Sequence, residues 1–243
     1  MTSAPVFVVA LEQLLTERVV LDGPEGHHAA QVRRIRTGEH VDLVDGVGTR
    51  AQCVVTSVEH DRVDLRVKRR DVEADARPRV VVVQALAKRD RGERAVELLT
   101  EVGVDEVVPW AASRSVVRWE GARGARALER WRSTARESSK QARRARFTVV
   151  EPAASTDEVA IRLSGASLGV VLTGDAPRRL SDLPVPVDGE VVLVVGPEGD
   201  LTDQELAAFE AAGALAAGLG PTVLRTSTAG VVAAAVVLSR CRW

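Results

Sequence analysis

The chain has 243 residues, enough for one small and one medium domain. Apolar residues make up 45% of it, aromatics only 3%, and tyrosine is missing, so its core must be built from Val, Leu and Ala. A net charge of −1 excludes a protein that is basic throughout, and the two distant cysteines, Cys53 and Cys241, fit no metal spacing.

In chain order, the apolar patch from Met1 to Leu15 has neither a basic leader nor a small-residue cleavage site. The longest apolar run, Ala229–Leu238, is too short to cross a bilayer. A soluble cytosolic protein with reduced thiols and no metal is expected. Residues 1–72 read as short β-rich runs (Val6–Val9, Val19–Leu21, Val41–Val44, Ala51–Val58, Val63–Lys68) around helical spacing at His27–Ile35, which suggests a small barrel. Residues 73–78, inside the Pro-containing stretch Asp71–Pro78, read as a linker.

From residue 79 to 243 the rhythm is that of an α/β domain. Strands are expected at Val80–Ala85, Glu106–Trp110, Phe147–Val150, Leu168–Leu172 and Val191–Val195. Helices are expected at Arg91–Val102, Arg123–Gln141, Thr202–Ala212 and Thr226–Arg240, the third opening on the capping box Thr202-Asp-Gln-Glu205 and the last buried. Strands alternating with helices predict a parallel sheet covered on both faces.

Three features carry chemistry. Strand Val191–Val195 delivers the turn Gly196-Pro197-Glu198-Gly199, and ligands of open α/β sheets bind outside the carboxyl ends of strands. The glycines permit close backbone approach and positive φ, although an ordinary strand-to-helix turn has the same composition, and the dinucleotide spacing is absent. Second, Leu219-Gly-Pro-Thr-Val-Leu-Arg-Thr-Ser-Thr228 precedes the last helix, with Arg225 expected partly buried against either a carboxylate or an anionic ligand. Third, Arg123–Arg146 holds nine basic residues against Glu129 and Glu137, and Lys88, Arg89, Arg91, Arg114 and Arg118 add to it. With Arg33, Arg34 and Arg36 these clusters read as phosphate-binding surface, or as solvated faces. His27 and His28 lack a catalytic partner motif, and His40 and His60 carry none.

The blocks His28–Gly48, Lys88, Glu97–Pro109, Ser113-Arg-Ser115, Arg130-Trp131, Glu137–Arg144, Gly196–Gly199 and Leu219–Ala229 occur in an order that resembles the bacterial small-subunit ribosomal RNA uridine-N3 methyltransferases of the SPOUT superfamily. The resemblance implies a PUA-like RNA-binding domain, a methyltransferase domain with a trefoil knot, a homodimer, and S-adenosylmethionine as cofactor. It places the cofactor among Leu172, Thr173 and Gly174; Val195, Gly196, Pro197, Glu198 and Gly199; and Leu219, Gly220, Val223, Leu224, Arg225, Thr226 and Thr228. It implies RNA contacts from Arg33, Arg34, Lys88, Arg89, Arg114, Lys140, Gln141, Arg143 and Arg144. Arg225 would stabilise charge on the uracil oxygens, and Glu198 or Asp200 would take the N3 proton. Two positions depart from the family pattern: Asp200 stands where a second glycine is common, and Ser227 where a glutamate is common. Ribose 2′-O-methylation by the same fold, a non-catalytic RNA-binding assembly factor and a nucleotide-binding metabolic enzyme are the alternatives.

Overall fold

The computed structural model describes residues 4–88 and 90–243, which form two compact units. Residues up to Asp75 join with Ser139–Phe147 in the first, and Ala76–Ser138 with Thr148–Trp243 make the second.

The first unit is a five-stranded sheet. Its strands are β1 (Val6–Val8), β2 (Arg18–Leu21), β3 (His40–Val44), β4 (Thr49–Glu59) and β5 (Arg62–Val72), ordered β1-β3-β4-β5-β2. All neighbours are antiparallel except β1 and β3. The period of two along the strands turns Val41 and Leu43, Ala51, Cys53 and Val55, and Val63 and Leu65 into one core with Phe7 and Leu21. Burial there pushes the Cys53 thiol up to about 12, which leaves it unreactive. The spacing at His27–Ile35 resolves into a short helix α2 (Gly23–His27), which follows the one-turn α1 (Leu11–Leu14), and a π-helical turn at His28–Val32. Gly26 lies where a Cβ would stand 2.1 Å from the Asp61 carbonyl oxygen, so only glycine fits.

The return of residues 139–147 has no counterpart in the predicted domain boundaries. Ala145 and Phe147 pack with Val6, Val8 and Val44, Phe147 N–H donates to Gly46 O at 2.8 Å, and Gly48 N–H donates to Ala145 O at 3.1 Å. Phe147 therefore belongs to this core, and the strand expected at Phe147–Val150 shrinks to Val149–Val150.

The second unit is a six-stranded parallel sheet. Its strands are β6 (Arg79–Ala85), β7 (Glu106–Trp110), β8 (Val149–Val150), β9 (Leu168–Leu172), β10 (Glu190–Val195) and β11 (Leu215–Ala217), ordered β11-β9-β10-β6-β7-β8. Alternate residues of the apolar runs face opposite sides. Val80, Val82, Val191, Leu193 and Val195 join a core with α3 (Arg91–Val102), α4 (Gly121–Gln141) and α7 (Thr226–Cys241). Val81, Val83, Val192 and Val194 join one with α5 (Thr156–Gly165) and α6 (Asp203–Ala211). Two-sided burial explains why these strands are continuous Val and Leu rather than alternating.

Helix α7 is buried along one stripe, Thr226, Ser227, Gly230, Ala233, Ala234, Val237 and Leu238. It is not buried all round as its composition suggested: Val232 remains exposed and Val231, Ala235 and Val236 are half-buried. Its carboxyl end is tied down by Arg242, which pairs with the nearly buried Asp105 and donates to the carbonyls of Gly103 and Pro78. Asp105 also accepts the Val80 N–H at 2.8 Å, so one carboxylate joins the starts of β6 and β7 to the end of α7. Breaking a pair of this kind strands a charge in the interior. Arg242→Ala is expected to lower unfolding stability by about 3 kcal/mol in urea titrations; an unchanged midpoint would show the pair to be immaterial.

Candidate active site

Because all six strands are parallel, their carboxyl ends share one edge, and the loops that follow β6, β7, β9, β10 and β11 emerge together. Three of them come from the neighbours β11, β9 and β10. They are Thr173–Gly174, Gly196–Asp200 and Gly218–Arg225, which overlap the segments singled out in the sequence, Thr173–Gly174, Gly196–Gly199 and Leu219–Thr228.

The turn after β10 is held from several sides. Gly196 O accepts the Thr226 hydroxyl at 2.8 Å, and Asp200 N–H donates to Pro197 O at 3.0 Å. Glu198 Oε1 accepts from Arg91 Nη1 at 3.1 Å, and the Lys88 N–H points at the same oxygen from 3.5 Å. A Cβ on Gly199 would stand 3.2 Å from Arg114 Cβ and 3.3 Å from the Arg114 carbonyl oxygen, so the glycine admits the loop after β7. The expectation of positive φ at Gly196 and Gly199 is corrected: neither adopts it, and Asp200 does, with φ of 65°. The position needs the left-handed region, which aspartate tolerates, and Asp200 Oδ1 accepts the Leu201 N–H at 2.9 Å.

The segment before α7 is open. Val223 is 96% exposed, and Leu219 and Leu224 are half-buried. Arg225 caps α7, with its carbonyl accepting from the N–H groups of Thr228 and Ala229, both at 2.9 Å. Its side chain is exposed rather than partly buried, and no carboxylate among the described residues pairs with it. Thr226 and Ser227 are buried in the first turn, whereas Thr228 is half-buried and its hydroxyl turns back to Arg225 O at 3.1 Å. At β9, Leu172 and Thr173 are half-buried and Gly174 is exposed, and Thr173 N–H donates to Ala217 O at 3.2 Å.

The basic residues divide into two kinds. Arg33, Arg34, Lys88, Gln141 and Arg143 are exposed, as are Arg123 and Arg126 on α4, which pair with no carboxylate among the described residues; Arg89 lies outside the described residues. Others serve the fold. Arg114 Nη1 donates to Leu201 O at 3.0 Å and Gly199 O at 3.3 Å, and Lys140 pairs with Glu25 at 3.0 Å with its side chain 11% exposed. Arg144 is half-buried and donates to Arg146 O at 2.9 Å. Residues outside the predicted site complete it: Gln84 under Thr226, Arg91 on Glu198, and Glu205 on the loop after β7. In the sequence Arg91 stands only in the basic cluster and Glu205 only in a capping box, and Gln84 carries no signal.

Comparison with known proteins divides the chain into two domains. A family profile described as the RNA methyltransferase domain matches residues 75–238, and one described as the RNA methyltransferase PUA domain matches 21–68. The chain is 47% identical over 230 residues to ribosomal RNA small subunit methyltransferase E of Mycobacterium bovis, covering 92% of this chain and 87% of that protein. It belongs to this RNA methyltransferase family. The enzyme of the same name from Bacillus subtilis is 28% identical over 89% of this chain and 88% of its own length. The crystal structure of the Neisseria gonorrhoeae enzyme, bound to S-adenosyl methionine, superposes with a TM-score of 0.84 at 25% identity and covers 98% of both chains.

Glu205 is nearly buried. It accepts from Ser113 N–H at 2.7 Å through one oxygen, and from Thr202 N–H and hydroxyl, both at 2.8 Å, through the other. Burial alone would raise its carboxyl, but these donors outweigh it and hold it below the usual glutamate range. A carboxyl held low in the folded state stabilises it above the unfolded residue's titration, and that contribution is lost as pH falls through the folded value. Glu205→Gln is expected to be less stable than wild type at neutral pH, with the gap closing as urea titrations move below the ordinary glutamate range. A gap that ignores pH contradicts the ionised form as acceptor.

Proposed function

We propose that the protein transfers the methyl group of S-adenosylmethionine to N3 of a uridine in small-subunit ribosomal RNA, acting as a homodimer. The observation that carries this reading is the convergence of three loops from the adjacent parallel strands β11, β9 and β10, in a member of the RNA methyltransferase family. The residues present fit such a cofactor. Val223, Leu219 and Leu172 offer apolar surface on the same loops and strand ends as the peptide groups of Thr173, Gly196 and Gly220, as an adenine and a zwitterionic tail require. The cofactor supplies a methyl group on a sulfonium, whose thioether leaves without acid assistance.

The chain's own residues then position the base and manage charge. Uridine N3 is nucleophilic only after losing its proton and is hidden in paired RNA, so an unpaired or extruded base is the substrate. Arg225, anchored through its carbonyl and paired with no carboxylate among the described residues, meets the negative charge that spreads to the uracil oxygens. Glu198 or Asp200, both on the turn after β10, accepts the N3 proton. Ser227 stands in the first turn of α7 where the resemblance implies a glutamate, so in this reading no carboxylate acts there. Arg33, Arg34, Lys88 and Arg143 keep exposed charge for phosphates, as does the face of α4 bearing Arg123 and Arg126. The apolar outer face of α7, including Val232, is the surface for the second copy.

The test is transfer of a labelled methyl group to unmodified small ribosomal subunits, with chromatography of the digested nucleosides. Label in 3-methyluridine is expected, and label in a ribose-methylated nucleoside would overturn the target atom. Arg225→Ala should lower turnover at saturating RNA and cofactor by about a hundredfold while leaving the melting temperature unchanged; undiminished turnover removes Arg225 from the reaction.

A further inference from the structure

After Arg79 at its start, strand β6 is apolar on both faces except at Gln84, which is fully buried. Its Nε2 donates to Thr226 Oγ1 at 3.0 Å and points at Ala85 O from 3.3 Å. Among the described residues its Oε1 accepts no hydrogen bond, and it faces Gly230, 3.4 Å from where a Cβ would stand. Turning the amide over would set Oε1 against the Ala85 carbonyl, so the donor end faces Thr226. An amide with an unpaired oxygen is a costly way to fill a place that valine fills elsewhere on the same strand. Its effect is on direction. An amide N–H only donates, so the Thr226 oxygen must receive it, and the single Thr226 proton is left for Gly196 O, 2.8 Å away.

We propose that Gln84 is a positioning residue, which acts through the Thr226 hydroxyl to fix the Gly196 carbonyl and with it the turn that holds the methyl donor. This rests on the reading of the Gly196–Gly199 turn as a cofactor segment. Gln84 is next to Val195 in the β6–β10 register, so the sheet itself delivers the amide to the first peptide of the turn. Gly230 lets α7 approach closely: a Cβ there would lie 3.3 Å from Val195 Cγ2. The chain Gln84→Thr226→Gly196 thus joins β6, α7 and the turn after β10. Thr226, which the sequence placed among the cofactor contacts, spends its hydroxyl inside the protein.

The experiment compares Thr226→Val, which keeps the shape and removes the hydroxyl, with Thr226→Ser, which restores it. Cofactor affinity is read by calorimetry with S-adenosylmethionine, and the turn is read in the free protein by hydrogen exchange at the Asp200 amide. Thr226→Val should weaken cofactor binding about tenfold and speed Asp200 exchange, with β6 amides still protected. Thr226→Ser should behave as wild type, and Gln84→Met should shift both readouts in the direction of Thr226→Val but by less. Wild-type affinity and exchange in Thr226→Val, or a defect that serine does not rescue, would overturn the proposal. Wild-type protein that binds no cofactor would contradict the cofactor reading of the turn and not the hydroxyl relay, which the exchange measurement tests alone.

Discussion

The parallel pairing of β6 with β10 is the constraint on which the second unit depends. Six consecutive partners, from Glu190 opposite Arg79 to Val195 opposite Gln84, fix a register between segments more than a hundred residues apart in sequence. Both strands are buried on both faces, so a slip of one residue would exchange the side chains of the two cores. With the register set, Gly196 leaves the sheet beside Gln84, and the first turn of α7 can bond to both. The position of the turn follows from sheet packing rather than from the turn's own sequence.

Around that centre, polar groups fasten the loops at one edge and the chain ends at the other. At the carboxyl edge Glu205 gathers the loop after β7 onto α6, Arg114 returns to the carbonyls of Gly199 and Leu201, and Arg91 holds Glu198. At the opposite edge the nearly buried Glu106 is paired with both Arg79 and Arg162, and Asp105 with Arg242. Buried ions of this kind add little net stability but penalise any arrangement that parts them. In the segment through Val223 and Arg225, by contrast, an apolar side chain and a guanidinium are both left to solvent.

Elements with strong local signals were legible in the sequence. Helix Arg91–Val102 has its apolar spacing and a stop at Gly103, which takes φ of 106°, and the Val-rich runs became the central strands. Helix Thr156–Gly165 went unpredicted although Ser155 and Glu158 form a capping box there, and strand Leu215–Ala217 went unpredicted because three small residues carry no β signal and owe their conformation to β9. The return of residues 139–147 to the first unit was invisible because it depends on Ala145 and Phe147 meeting Val6 and Val44, a contact without local pattern. The tetrapeptide Gly-Pro-Glu-Gly occurs twice, at 23–26 and 196–199, and spacing alone does not separate them. One copy opens a short helix against Asp61; the other ends a buried strand at the edge where three loops meet. The basic residues show the same limit, since composition counts Arg114 and Lys140 with Arg33 and Arg143, while geometry commits the first two to protein partners.

The central claim is that the edge formed by the carboxyl ends of β11, β9 and β10 is where the methyl donor binds. The most direct measurement is hydrogen exchange of the whole chain with and without S-adenosylmethionine, followed residue by residue. Protection confined to Thr173–Gly174, Gly196–Asp200 and Gly218–Thr228, with none at the Glu106–Arg162 edge, is the predicted result. Protection elsewhere, or binding that leaves these three loops unchanged, would contradict it.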